Sequence, residues 1–372
     1  MKISDIADII NVSVKDPSNS GVDVFVGLEH YDITEPVIKR YGSTKMLSTA
    51  AKKFEAGDVL IARRNVYLQR AAVARFSGLT SGDSIILRVK EDLCTKDTEY
   101  ETMCRLLPFV LNSINFWDYA NTNADGTMSK RLSPAMLLEY EFDLPSIDEQ
   151  KILADKLWAA YEVKQSYLKM IEATQGMVKS QFIEMFGNPV SNSKNWKTKP
   201  MKEVAPEEPS IDKQVGKVWV LNLDMIESNS GKVIEKVYVD EASLLSVSPF
   251  DEGNVLYSKL RPYLNKVVIP NGKGYATTEL VPLRPNRDRL NLTFFSHLLR
   301  GDDFVTYANS ISTGTKMPRM PLNDLRKFPC ILPPIEKQKE FERMANQADK
   351  SEFELRKSIK AIDAVIKSLI NS

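Results

Sequence analysis

The sequence predicts an α+β chain in which two related globular domains alternate with two long helices that pair as an antiparallel coiled coil. Three observations carry this: two long stretches without an internal proline, an apolar seam along each, and an internal repeat that sets them at matching points. The first stretch runs from Pro145 to Phe186 and the second from Pro333 to the C-terminus. At a rise of 1.5 Å per residue each predicts a helix of roughly 50–60 Å, far above the usual length of about 11–12 residues.

The seams follow alternating steps of three and four. In the second stretch they are Phe341, Ala345, Ala348, Leu355, Ile359, Ile362, Ile366 and Leu369, with Glu352 in the one polar slot. In the first, Leu153, Leu157, Tyr161, Leu168, Ile171, Val178, Phe182 and Met185 form a looser version. So narrow a stripe needs another helix against it. Periodicity alone also allows pairing with a second copy; two such helices in one repeat point to pairing within the chain.

The repeat keeps register over a long span. Phe54-Glu-Ala-Gly57-Asp-Val-Leu60 recurs 196 residues later as Phe250-Asp-Glu-Gly253-Asn-Val-Leu256, and the same shift pairs Tyr67 with Tyr263, Arg70 with Lys266, Asp83 with Glu279 and Arg88 with Arg284. Further on the shift is 188, matching Tyr119-Ala-Asn121 to Tyr307-Ala-Asn309, Gly126-Thr to Gly314-Thr, Arg131 to Arg319 and Gln150 to Gln338. The expected segments are a first domain over 1–143, a first long helix over 144–187, a second domain over 188–331 and a second long helix over 332–372.

Within each domain, VDVFVGL and KVWVLNL read as strands. DVLIARRNVYLQRAAVA and NVLYSKLRPYLNKVVIP, rich in β-branched and aromatic residues, read as extended hairpins. A helical stretch follows, Thr98 to about Leu111 and Leu292 to about Arg300, and then a polar Gly-Thr loop before the long helix. Gly187-Asn188-Pro189 stops the first long helix.

Composition narrows the function classes. The chain has 372 residues, net charge +1, three scattered cysteines and two histidines, which offers no metal cluster and no disulfide framework. No stretch approaches the roughly 18 apolar residues of a membrane helix, and Asp5 and Asp8 stand where a signal sequence needs an apolar run, so a soluble, cytoplasmic protein is expected. There is no GxGxxG, GxxxxGK[ST] or HExxH, and the Pro333-Pro334 pair is followed by Ile335 rather than the aromatic of a DNA methyltransferase site. A non-catalytic chain is expected.

Local charge points to a nucleic-acid partner. Between Lys39 and Arg75 nine basic residues, among them Lys39, Arg40, Arg63, Arg64 and Arg70, face only Glu55 and Asp58. Between Lys259 and Arg289 seven, among them Lys259, Arg261 and Lys266, face Glu279 and Asp288. Tyr67 and Tyr263 lie inside these runs. Clustered Arg and Lys suit phosphate contacts, and Arg also reads guanine edges. The Gly-Thr loops add Lys130 and Arg131 in one half and Lys316 and Arg319 in the other, with glycine allowing close backbone approach to a phosphate. A solvated charged face and a plain turn are the competing readings of these two features.

The order of these motifs resembles the specificity subunit of type I restriction–modification systems. The resemblance rests on the repeated Gly-Asp/Asn-Val-Leu strand, the Gly-Thr loops, the L-P-x-I-x-x-Q helix starts (Leu144 to Gln150, Leu332 to Gln338) and the Gln181-Phe182-Ile-Glu-Met-Phe186-Gly187-Asn188-Pro189 ending. It covers nearly the whole chain, although the second helix reaches Ser372 without that ending. It implies two target recognition domains joined by helical spacers. It also implies double-stranded DNA as ligand, two methyltransferase subunits that carry S-adenosylmethionine, motor/endonuclease subunits that complete a restriction enzyme, and no cofactor in this chain. Phosphate contacts are expected from Arg64, Arg70 and Lys130, and from Lys259, Arg261, Lys266 and Lys316. The spacer seam is expected from Leu157, Leu168, Ile171, Val178 and Phe182 against Leu355, Ile359, Ile362, Ile366 and Leu369. The alternatives are a duplicated scaffold that assembles protein partners through its helices and, third, a DNA-modifying enzyme with a hidden site.

Overall fold

The computed structural model describes residues 1–95, 97–211, 215–244 and 246–371. The long helices span Ile147–Phe186 and Ile335–Ile370. Two compact units result, Met1–Tyr167 with Lys357–Ser372, and Leu168–Arg356, so each unit holds part of both helices.

In the first unit, an antiparallel sheet runs in the order Ala7–Ile10, Ser84–Val89, Val59–Ala62, Ala71–Val73. A five-stranded sheet contains Ala51–Phe54 beside Gly78–Thr80, which lies parallel to Val24–Val26. The second unit repeats the plan. Val255–Ser258 lies between Val267–Val268 and Leu280–Leu283, and Val247–Phe250 lies beside Gly274–Thr277, which is parallel to Lys217–Leu221. The repeat holds to the residue, with Val59 opposite Leu87 and Val255 opposite Leu283. Gly78 and Gly274 occupy one matching position: a Cβ would sit 2.9 Å from Phe54 Cζ in the first unit and 2.6 Å from Phe250 Cζ in the second.

Each unit adds two helices over its antiparallel sheet, Tyr100–Val110 with Ile114–Thr122, and Leu292–Arg300 with Asp302–Ser310. The second of each pair is an addition to the single helical stretch expected. In the first unit Ser113 restarts the chain as an N-cap, its hydroxyl accepting from Phe116 N–H at 3.1 Å. The Gly-Thr loop does not lead straight into the long helix either: a short helix intervenes, Pro134–Leu138 or Leu322–Lys327.

The helix start motif is explained by burial. Gln150 and Gln338 are both fully buried. Gln150 donates to Pro145 O (2.9 Å) and Asp97 O (2.5 Å) and accepts from Thr98 Oγ1 (2.8 Å). Gln338 donates to Pro333 O (2.7 Å) and Arg289 O (3.0 Å) and accepts from Asn291 N–H (2.8 Å). One amide thus ties each long helix to its globular layer. At the other end Gly187, at φ +73°, terminates the first helix in a conformation that favours glycine.

The helices pair antiparallel within each unit. In the second, Phe182 and Phe186 pack on Phe341 at 5.3 and 5.7 Å, while Gln175, two turns earlier, meets Glu352, three turns later. In the first, Lys164 and Asp363 pair at 2.8 Å, and Leu157 and Tyr161 share a core with Ile366 and Leu369. Ile171, Val178, Phe182 and Ile359 are buried, and Leu355 and Ile362 half-buried. Leu168 corrects the seam: it is 40% exposed and joins neither core. A two-helix seam shields a leucine on one side only.

Candidate nucleic-acid interface

The two basic features of each half, separate in sequence, form one site. The strand Val59–Ala62 ends in a tight turn in which Asn65 and Gln69 take left-handed conformations (φ +56° and +50°) around the 3-10 segment Val66–Leu68. In the second unit Arg261 and Asn265 do the same (both φ +48°) around Pro262–Leu264. A left-handed residue on each side raises the middle of the turn, and Tyr67 and Tyr263 stand there 60% and 50% exposed.

The Gly-Thr loop is a hairpin docked on this turn. Asp125 and Arg131 exchange backbone hydrogen bonds at 2.8 and 3.0 Å, as Thr313 and Arg319 do at 2.9 and 3.0 Å. Gly126 and Gly314, at φ +100° and +98°, let the tip turn. Asn65 N–H donates to Lys130 O (2.8 Å) and Arg261 N–H to Pro318 O (2.7 Å). Leu132 N–H bonds Arg63 O and Met320 N–H bonds Lys259 O, each at 2.9 Å. These matched bonds fix the exposed tyrosine next to the hairpin in both units.

Cations crowd each site around one matching carboxylate. Asp83 lies 3.8 Å from Arg64 and 3.6 Å from Arg131, and Arg64 Nε also donates to Ser129 Oγ at 2.9 Å. Glu279 takes Arg319 in a forked pair, the shortest contact 2.9 Å. Arg64, Lys130 and Arg131 are exposed in the first unit and Lys316 and Arg319 in the second, with Lys259 and Arg261 half-buried. Lys130 Nζ reaches Asn121 O at 3.1 Å. Arg63 has a buried Nε without a hydrogen-bond partner, and so does Arg261. Beside Arg63, the Lys52 ammonium has a pKa lowered first by burial and then by the Arg63 charge.

Arg70 and Lys266 turn inward instead. Arg70 donates to Leu28 O (2.8 Å) and Arg64 O (3.1 Å), and Lys266 donates to Leu223 O (2.6 Å). Both brace the turn from behind, and burial lowers the Arg70 pKa. Lys39 and Arg40 are engaged away from the hairpin: Lys39 pairs with buried Glu35 at 3.2 Å beside the Tyr161 ring, and Arg40 with Asp32 at 2.7 Å.

A solved chain from work on complex assembly and conformational transition of the type I R-M system superposes at TM-score 0.54 with 16% identity, over 100% of this chain and 95% of that one. The S subunit of a Type-I restriction-modification system from M. genitalium gives TM-score 0.54 and 13% identity over 100% and 94%. In sequence, the type I restriction enzyme EcoDI specificity subunit of Escherichia coli is 26% identical over 150 residues, 39% of this chain. The chain thus shares the fold of solved type I S-subunit chains and, over 150 residues, sequence similarity to a type I specificity subunit. The match spans 33% of the length of that curated relative. No family model matches the sequence.

Two features of the site escaped sequence reasoning. Met128 is 95% exposed at the first hairpin tip, and Met317 is 45% exposed in the second. Only the αL positions, with asparagine at two of the four, hint at the turn that presents the tyrosines. Among the described residues no group of three or more His, Cys, Asp or Glu side chains is arranged to hold a metal ion, and no helix is long and apolar enough to cross a membrane.

Proposed function

We propose that this chain is the non-catalytic, DNA-reading subunit of a type I restriction–modification complex, working in the cytoplasm. Each turn-and-hairpin site reads one half of a split, asymmetric target in double-stranded DNA. The observation that carries the reading is the duplicated site: an exposed tyrosine held between left-handed residues, against a hairpin that carries exposed cations. Arg64, Lys130 and Arg131 in the first domain, and Lys259, Arg261, Lys316 and Arg319 in the second, contact phosphates or base edges. Tyr67 and Tyr263 offer flat faces beside them. Arg70 and Lys266, already bonded to carbonyls, position the turn rather than touch DNA.

The two sites differ in detail. Lys259 and Leu260 stand where Arg63 and Arg64 do, and Lys316 where Met128 does. Different readers imply different half-sites. The long helices then act as a ruler that sets the unread gap, half-sites on one face lying about 34–36 Å apart per helical turn. Two methyltransferase subunits that carry S-adenosylmethionine perform the adenine methylation, and motor/endonuclease subunits the cleavage. Exposed apolar residues on the long helices, Met170, Met177 and Phe353, are the proposed docking points for the methyltransferase subunits.

Fluorescence anisotropy with a labelled duplex tests the DNA reading. Affinity falls linearly on a log–log plot against salt, with a slope of about −0.9 per phosphate contacted, and heparin competes. Lys316→Ala lowers the slope by about one. Binding indifferent to salt and heparin would favour a protein-assembling scaffold instead.

A further inference from the structure

Each unit encloses a cavity between its second helical layer and the paired long helices, about 370 Å3 in the first unit and about 360 Å3 in the second. The two are copies of one site. At the shift of 188 residues, Phe109 answers to His297, Asn112 to Arg300, Tyr161 to Asp349 and Lys164 to Glu352, and every one of these residues lines its own cavity. The first copy folds with neutral Phe109, Asn112 and Tyr161 at three of the four positions. The architecture therefore does not require the charges of the second.

In the second unit those charges stand apart. The Arg300 guanidinium donates to Ser230 O and to His297 Nε2 (2.9 Å). Because arginine only donates, the imidazole accepts through Nε2, and burial together with the Arg300 charge keeps it neutral by pushing its pKa well below 6.5. Among the described residues no carboxylate lies within 4.0 Å of Arg300. Asp349 lines the same cavity without an ion-pair or hydrogen-bond partner among those residues; burial raises its carboxyl pKa, and the Arg300 and Lys232 charges offset part of that. The other charges of the wall are balanced. Lys179 pairs with Asp302 at 2.9 Å, Glu352 with Lys232 and Arg356 at 2.5 and 2.8 Å, and Asp303 sits in the first turn of a helix, where backbone N–H groups offset it. Val178, Phe182, Ala345 and Ala348 supply an apolar wall.

We infer that this cavity binds a zwitterionic α-amino acid with an apolar side chain. Its carboxylate takes the free donors of Arg300, its ammonium meets Asp349, and its side chain lies on the Phe182 wall. A guanidinium and a carboxylate that face one cavity without closing on each other are complementary to a ligand carrying both opposite charges. The inference is independent of the DNA reading.

Isothermal titration of the full chain with L-leucine tests it, with N-acetyl-L-leucine and L-leucinamide as probes lacking one charge each. Saturable binding is expected for L-leucine, weakened about tenfold or more for either derivative, as the loss of a charge-assisted hydrogen bond implies. Arg300→Gln removes the anion partner but also touches Ser230, so Asp349→Asn, which breaks no hydrogen bond and keeps the side chain's shape, is the deciding variant. It should weaken L-leucine about tenfold while leaving the weaker binding of N-acetyl-L-leucine unchanged, a selectivity that a merely structural effect would not produce. No saturable heat with L-leucine at millimolar concentration, equal binding of the three compounds, or an undiminished affinity in Asp349→Asn would each overturn the proposal.

Discussion

Replacing Glu352 by glutamine tests how the second unit is held to the long helices. The carboxylate is 3% exposed and accepts from Arg356 Nε at 2.8 Å and Gln175 Nε2 at 3.1 Å, with Lys232 Nζ at 2.5 Å. Lys232 belongs to the globular layer and the other two to the helices, so one buried group joins three segments. Glutamine keeps the shape and removes the charge. Removing one partner of a buried ion pair costs about 3–5 kcal/mol in full. Lys232 and Arg356 are 31% and 40% exposed, and Arg356 keeps Glu227 at 3.3 Å, so water recovers part of that. We expect a loss of about 2 kcal/mol, a fall in melting temperature of about 4–8 °C for a unit of this size. The pH dependence supplies the sign. Burial raises the Glu352 pKa, but the bonds from Lys232, Arg356 and Gln175 outweigh it, and the net value lies below 4.5. A folded pKa below the unfolded one gives stability that is full above about pH 4.5 and lost as pH falls through the folded value. The gap between wild type and Glu352→Gln should therefore close on acidification. Thermal melts by circular dichroism between pH 3 and pH 7 measure it, in steps of about half a unit. A variant that melts with the wild type at neutral pH, or a gap that widens in acid, refutes this reasoning.

Asp58→Ala should destabilise the first unit by roughly 2–3 kcal/mol, because it strips Arg88 of a forked partner at 2.7 and 2.9 Å and leaves Glu55 N–H uncapped; chemical denaturation reads this. Asn254→Ala, its counterpart, removes a neutral amide that contacts Arg284 at 3.2 Å while Asp251 holds the same arginine at 2.7 Å, so the loss should be about half as large. Gln150→Ala and Gln338→Ala should each cost about 2–3 kcal/mol by removing three hydrogen bonds made by a fully buried amide, measurable as faster amide exchange at the start of the corresponding long helix. Tyr67→Ala and Tyr263→Ala should leave the melting temperature within a degree or so while weakening DNA binding by roughly 5- to 100-fold, the size of a lost stacking contact.

Much of this architecture is legible in residue order, since helices of this length leave an unmistakable period and the repeat preserves its register. Glu352 was visible as the one polar slot of its seam, although its partner Lys232 arrives from a distant loop that periodicity cannot place. Leu168 has the right spacing yet is 40% exposed, because spacing does not report how far a seam position is covered. At the interface, sequence pattern gathers the right segments but cannot orient side chains. Arg64 and Arg70 look equivalent in a basic run, yet the left-handed turn between them sends one outward and the other onto the Leu28 carbonyl. The additional helices Ile114–Thr122 and Asp302–Ser310 were illegible for a related reason: nine residues make only about two and a half turns, too short a period to separate from the helix before them.

The central claim, two different readers in one chain, meets its most direct test in a map of adenine methylation across the source genome, with and without this protein. Deletion should erase one split, asymmetric motif, and a chain carrying Lys316→Ala and Arg319→Ala should relax only the half-site read by the second domain. An unchanged methylome alongside an expressed methyltransferase partner, or loss of a single continuous palindromic motif, would contradict it.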